Sequence, residues 1–104
     1  MSQVIYEKLK SIARKRDVIY YSDLGNMGDP AVYSEIVRIL DEINRSEFNE
    51  GNPMLSAVVI SKDRQLPGKG FFDLARKLEK YRGYKDSLFW AYELIEVHNF
   101  WQSH

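Results

Sequence analysis

The sequence predicts a single small α+β domain spanning residues 1–104, mostly helical with a small sheet. Three observations lead there. Apolar residues recur at steps of three and four in several segments, the period of an amphipathic helix. Two short β-branched or aliphatic runs interrupt that period. At 104 residues and 44% hydrophobic, the chain can bury one core but is too short for two.

The elements follow in order. From Ser2 to Arg16, the residues Ile5, Leu9 and Ile12, with Val4 and Ala13 on the margins, predict a helix that Ser2 can cap. Arg14, Lys15 and Arg16 fall in its last turn, where cations complement the negative end of the helix dipole; phosphate binding is the alternative reading of that cluster. Val18 to Tyr21 then predicts a short strand, and Ser22-Asp23 a brief helical turn ended by Gly25 and Gly28. Asp29-Pro30 is an N-cap followed by proline at the first helical position, and Val32, Ile36, Ile39, Leu40 and Ile43 supply the stripe of a helix that decays near Asn44. Met54 to Ser61 holds a continuous apolar run of strand length, expected to be the central strand, covered on both faces. Lys62 to Gly70, with Pro67 and two glycines, turns the chain before a helical period resumes at Phe71. Gly83 marks another break. The last segment, Asp86 to Gln102, is a helix with one apolar stripe at Trp90, Leu94, Val97 and Trp101 and a second at Leu88, Ala91 and Ile95, leaving a polar sector around Asp86, Glu93 and Glu96.

Fifteen lysines and arginines balance fifteen aspartates and glutamates, which excludes a highly basic nucleic-acid coat and an acidic tail. The absence of cysteine removes disulfides, thiolate metal sites and a cysteine nucleophile. Glu7, Lys8 and Lys10 interrupt any secretory h-region, and no run approaches the ~20 apolar residues of a membrane span. The expectation is a soluble cytoplasmic protein with no membrane partner, no cofactor and no metal.

The neutral total hides a dipole. Lys62 to Lys85 holds eight cations against three acids, a net of plus five, whereas Asp29 to Glu50 holds two cations against six acids, a net of minus four. A segment carrying Lys62, Arg64, Lys69, Arg76, Lys77, Lys80, Arg82 and Lys85, with Tyr81 and Tyr84 interleaved, has the composition to follow a phosphate backbone and stack on bases. The same residues also suit a plain solvated surface, or a meeting with the acidic helix of a neighbouring copy. Within the segment, Gly68-Lys69-Gly70 sets a lysine between two glycines just before a helix, an arrangement suited to an anion. It matches neither nucleotide fingerprint: aspartate stands at position 73 where a third glycine is needed, and Lys69 is followed by Gly70 rather than Ser or Thr. The simpler reading is that the glycines supply positive φ for a tight turn.

Other constellations carry less. Glu93 and Glu96, one turn apart, read as the wet side of the last helix. His98 and His104 are six residues apart and make neither an i, i+4 metal pair nor a triad with Ser56. Trp90 and Trp101 are most simply core, and the broad apolar cover of their helix makes Trp90, Leu94, Val97 and Trp101 the candidate oligomer interface.

One stretch in the first half of the chain and two in the second carry a resemblance. Tyr21-Ser22-Asp23-Leu24-Gly25, together with Pro53-Met54-Leu55-Ser56-Ala57-Val58-Val59 and Pro67-Gly68-Lys69-Gly70-Phe71-Phe72, resembles an uncharacterised family of small bacterial and phage-borne proteins that implies no activity. Over residues 18–72 the layout is also similar to the winged-helix domain of the alkyltransferase-like DNA-repair proteins, with Ile19 to Leu24 at the entry to a helix-turn-helix, the Pro30 helix as recognition helix and Pro53 to Val59 near the alkyl pocket. That similarity implies a winged-helix-like fold. Met54, Leu55 and Ser56 stand where that family has Cys or Trp, then His and Arg, so dealkylation by a thiolate is impossible here. The helix in the recognition position is also net negative, a poor fit to a polyanion.

The leading functional expectation is therefore a non-enzymatic binding module that engages nucleic acid or a protein partner through residues 62–85, with Lys62, Arg64, Gly68, Lys69, Gly70, Arg76, Lys77 and Lys80 as binding residues and no catalytic residue assigned. The alternatives are a homo-oligomeric interaction component using the C-terminal helix, and a small enzyme or ligand-binding protein with an anion site at Gly68-Lys69-Gly70. In the latter, Ser56, Lys69 and Glu93 would have to converge.

Overall fold

The apolar positions of the first segment close on Leu9 and Ala13, which are fully buried, while Val4 points to solvent; this is helix α1, Gln3–Arg14. The structure is a computed structural model and describes residues 3–25 and 30–104. The expected caps at Ser2 and Asp29, and the break at Gly28, lie outside the described residues. Helix α1 ends where Arg16 takes a left-handed conformation (φ 56°) and the Asp17 amide returns to the Ile12 carbonyl.

Strand β1 (Ile19–Tyr20) leads into a 3-10 turn at Tyr21–Asp23, and helix α2 follows from Pro30 to Asn49. It buries Ile36, Ile39, Leu40 and Ile43, as the stripe requires. The helix does not decay near Asn44. It continues because Asn44 and Glu47 face inward and are satisfied there: Asn44 bonds Ser56, and the Glu47 carboxylate accepts hydrogen bonds from Tyr6 (2.5 Å) and Asn52 (2.6 Å). Polar residues that sequence alone reads as a fraying end are here buried groups with partners.

The expected long central strand is corrected most. Leu55–Val58 is a 3-10 helix, and only Val59–Ile60 forms strand β2, which pairs in parallel with β1 so that Ile19 faces Val59 and Tyr20 faces Ile60. The run is as buried as expected. Its backbone, however, is satisfied by side chains instead of a ladder: the Met54 amide donates to Glu93, the Ser56 amide to Asn44, and the Ala57 carbonyl accepts from the Trp90 indole.

Helix α3 spans Lys69–Lys77, two residues earlier than expected, and stops where Glu79 becomes left-handed (φ 61°). Its Phe71 and Phe72 pack edge to face, and Tyr81 stacks on Phe89 at 4.5 Å. Helix α4, Asp86–Gln102, crosses α1, to whose end it is tied by Arg16 donating to Asn99 and Gln102 and by Arg14 donating to the His104 carbonyl. The arginine cluster is thus largely a joint between helices. Together these elements make one compact domain, mostly helical α+β, with four α-helices and a two-stranded parallel sheet among the described residues, packed around one core. None of the helices is long and apolar enough to cross a membrane among the described residues.

Candidate nucleic-acid interface

Tyr21 sits at the point where β1 passes into the 3-10 turn, and its hydroxyl accepts a hydrogen bond from the Gly68 amide at 2.9 Å. This single bond draws the start of α3 against the first half of the chain. Gly68 favours that approach, because a Cβ built there would lie a tight 3.2 Å from the Tyr21 hydroxyl and press on it. The reading that the paired glycines supply positive φ is corrected accordingly: Gly68 has φ −71° as the N-cap, and Gly70 lies inside the helix with open space where a Cβ would stand. The Gly-Lys-Gly motif is a close-packed helix start, and Lys69 projects from its first turn.

Two depressions adjoin the Tyr21–Gly68 contact. The deeper one, about 190 Å³, has apolar walls from Val37, Leu40, Phe71 and Leu74 and polar groups from Asp41, Asn44 and Ser56. The wider one, about 400 Å³, is lined by Tyr21, Ser22, Tyr33, Ser61, Lys62, Arg64, Pro67, Gly68 and Lys69, with no acid among the described residues that line it. Tyr21, Tyr33, Gly68 and Lys69 belong to both. The two tyrosine rings lie 6.3 Å apart, tilted by 45°, and Tyr33 is 44% exposed.

The cations of this groove differ in their freedom. The Lys62 ammonium rests 5.4 Å from the centre of the Tyr20 ring, and Arg64 has no side-chain partner among the described residues. Lys69 pairs with Asp73 at 2.8 Å, with its side chain 87% exposed, and that hydrogen bond holds the Asp73 carboxyl below its ordinary value. An exposed pair of this kind is worth little and yields easily to a stronger anion. Burial pushes the Tyr21 phenol above its ordinary value, outweighing the Gly68 hydrogen bond, so the ring is neutral at physiological pH.

The rest of the basic segment does not join this groove. Arg76 lies over the Tyr81 ring at 4.5 Å and reaches Asp86. Lys80 turns inward to Glu93, and Lys77, exposed on α3, is not among the lining residues. Glu93 was expected on the wet side of α4 and is instead buried, bound by Lys80 and the Met54 amide. Ser56 and Lys69 share the deeper cleft while Glu93 does not line it, so that trio is not assembled. His98 is buried against the Asp17 carbonyl, and His104 stacks on Phe100. Among the described residues no cluster of three His, Asp or Glu is placed to hold a metal ion. Val97 and Trp101 are spent on the core of the chain itself, Trp90 and Leu94 pack partly against it, and α4 presents Leu88, Tyr92 and Ile95 to solvent instead.

Sequence reasoning missed Tyr33 as a groove residue and Asn44 as the support of Ser56. Tyr33 sits on the outer edge of the α2 stripe, and an aromatic just off an apolar stripe at the start of a helix is the signal that was present. Comparison with family models, curated proteins and solved structures finds no significant match for this chain.

Proposed function

We propose that this domain is a nucleic-acid-binding module that takes a single strand along the Tyr21–Tyr33 groove. The observation that carries the reading is the lining itself: three cations, Lys62, Arg64 and Lys69, share the wider depression with two tyrosines and, among the described residues, no acid. Cations neutralise phosphates and release counterions, and tyrosine faces accept unpaired bases whatever their sequence, each stack being worth about 1–3 kcal/mol. The winged-helix-like layout expected from the sequence lends no support, because β1 and β2 pair in parallel whereas a wing is an antiparallel hairpin, so the reading rests on the groove alone. Helix α2 itself is a poor reader of phosphate, since Arg38 is held by Glu35 and Glu42, and Arg45 by Asp41. Binding is therefore assigned to the groove beside α2 and not to its outer face.

Fluorescence anisotropy with a labelled single strand, and with a duplex of the same length, tests this. The single strand binds more tightly. With three phosphates neutralised, log K falls against log salt with a slope of about −2, or roughly twentyfold between 50 and 200 mM. Replacing Lys62, Arg64 and Lys69 together by alanine abolishes the salt-dependent binding, whereas Lys77→Ala changes it little. No binding at low salt, binding indifferent to salt, or an unaffected triple variant overturns the reading.

A further inference from the structure

Helix α4 presents an apolar stripe to solvent that the core leaves uncovered. Leu88, Tyr92 and Ile95 are 52%, 64% and 51% exposed, at spacings of four and three that place them on one line along the helix. We propose that this stripe is a two-fold interface, occupied by the same stripe of a second copy running antiparallel.

The pattern is self-complementary. A two-fold axis passing beside the helix between Ala91 and Tyr92 sets Leu88 of each copy against Ile95 of the other and brings the two Tyr92 rings together at the axis. The same operation brings charges of opposite sign together. By helical position the N-cap Lys85 and Glu96 fall on one side of the stripe; both are exposed, and neither has an ion-pair partner among the described residues. They fall within two residues of register, about 3 Å along the axis, which a lysine side chain spans. Each copy thus supplies one half of two identical Lys85–Glu96 contacts, and a parallel arrangement would separate them. Asn99 and Gln102, beyond the stripe, are held by Arg16, so the apolar contact ends about where the α1 joint begins. The face differs from the side of α4 that carries Val97 and Trp101, and it leaves out every residue that lines the groove.

Sedimentation equilibrium over a range of concentrations tests the proposal. The wild-type chain shows a weak, reversible monomer–dimer equilibrium, as expected for so short a stripe. Ile95→Asp, at a half-exposed position, weakens association by about tenfold or more while leaving the far-ultraviolet circular dichroism unchanged. Lys85→Glu and Glu96→Lys each weaken it by placing like charges together, and the double variant Lys85→Glu/Glu96→Lys restores it. A chain that stays monomeric at the highest concentration reached, a dimer indifferent to Ile95→Asp, or a charge swap that fails to rescue overturns the proposal.

Discussion

Asn44 and Ser56 hold each other through both ends of the amide. The Asn44 Nδ2 donates to the Ser56 hydroxyl at 2.7 Å, and its Oδ1 accepts the Ser56 backbone amide at 3.0 Å. Both residues are buried, so the pair fixes the 3-10 helix against α2 at the floor of the groove. It also explains why a run rich in valine and isoleucine does not extend as a strand.

Loss of Asn44 should therefore cost more than loss of Ser56. Asn44→Ala strands a buried amide and hydroxyl and is expected to destabilise by about 2–3 kcal/mol; Ser56→Ala leaves the backbone bond intact and costs about 1 kcal/mol. Urea denaturation with a constant m-value measures the difference, and equal losses would remove the special role given to the amide.

The two glycines of the helix start should respond in opposite directions. Gly68→Ala pushes a methyl into the Tyr21 hydroxyl and is expected to destabilise by about 1 kcal/mol and to widen the groove. Gly70→Ala enters open space on a helix and should stabilise by roughly 0.5 kcal/mol. Thermal melts of the two variants decide this, and a loss on Gly70→Ala would mean that its backbone freedom matters after all.

Lys80 is expected to be structural despite its place in the basic segment. Lys80→Met leaves the buried Glu93 carboxylate without its counter-charge, for a loss of about 2–3 kcal/mol given that Lys80 is partly exposed. Adding Glu93→Gln should recover part of that loss. Strand binding measured on the folded fraction should be unchanged in both, and a selective loss of binding would return Lys80 to the interface.

Alkaline pH should destabilise the domain through its tyrosines. Burial raises the phenols of Tyr6 and Tyr21 above the ordinary value, with the Glu47 hydrogen bond adding to the effect at Tyr6. The unfolded chain therefore releases these protons first. The stabilising contribution is complete below about pH 10 and is lost as pH rises above that value. Urea midpoints at about pH 8 and pH 11 should diverge less in Tyr21→Phe than in the wild type, and an identical divergence would place the alkaline loss elsewhere.

Periodicity and composition determined a good deal of this protein. The order of elements, the limits of α4, the stripe of α2 and the burial of Met54 to Ile60 follow from local spacing, because a helix or a buried run needs its apolar residues at fixed steps wherever it packs. The charge asymmetry was equally legible, and it led to Lys62, Arg64 and Lys69. Only the tertiary structure decided which cations remain available. Lys80 and Arg76 are taken up by Glu93, Tyr81 and Asp86, contacts that span up to thirteen residues and leave no mark on local pattern. It likewise decided that Glu93 is buried, that Asn44 anchors the 3-10 helix at Ser56 instead of ending α2, and that the uncovered side of α4 is Leu88, Tyr92 and Ile95. The physical reason is common to these cases: a polar group can be buried wherever a distant partner satisfies it, and that partner is chosen by packing, not by neighbours in the chain.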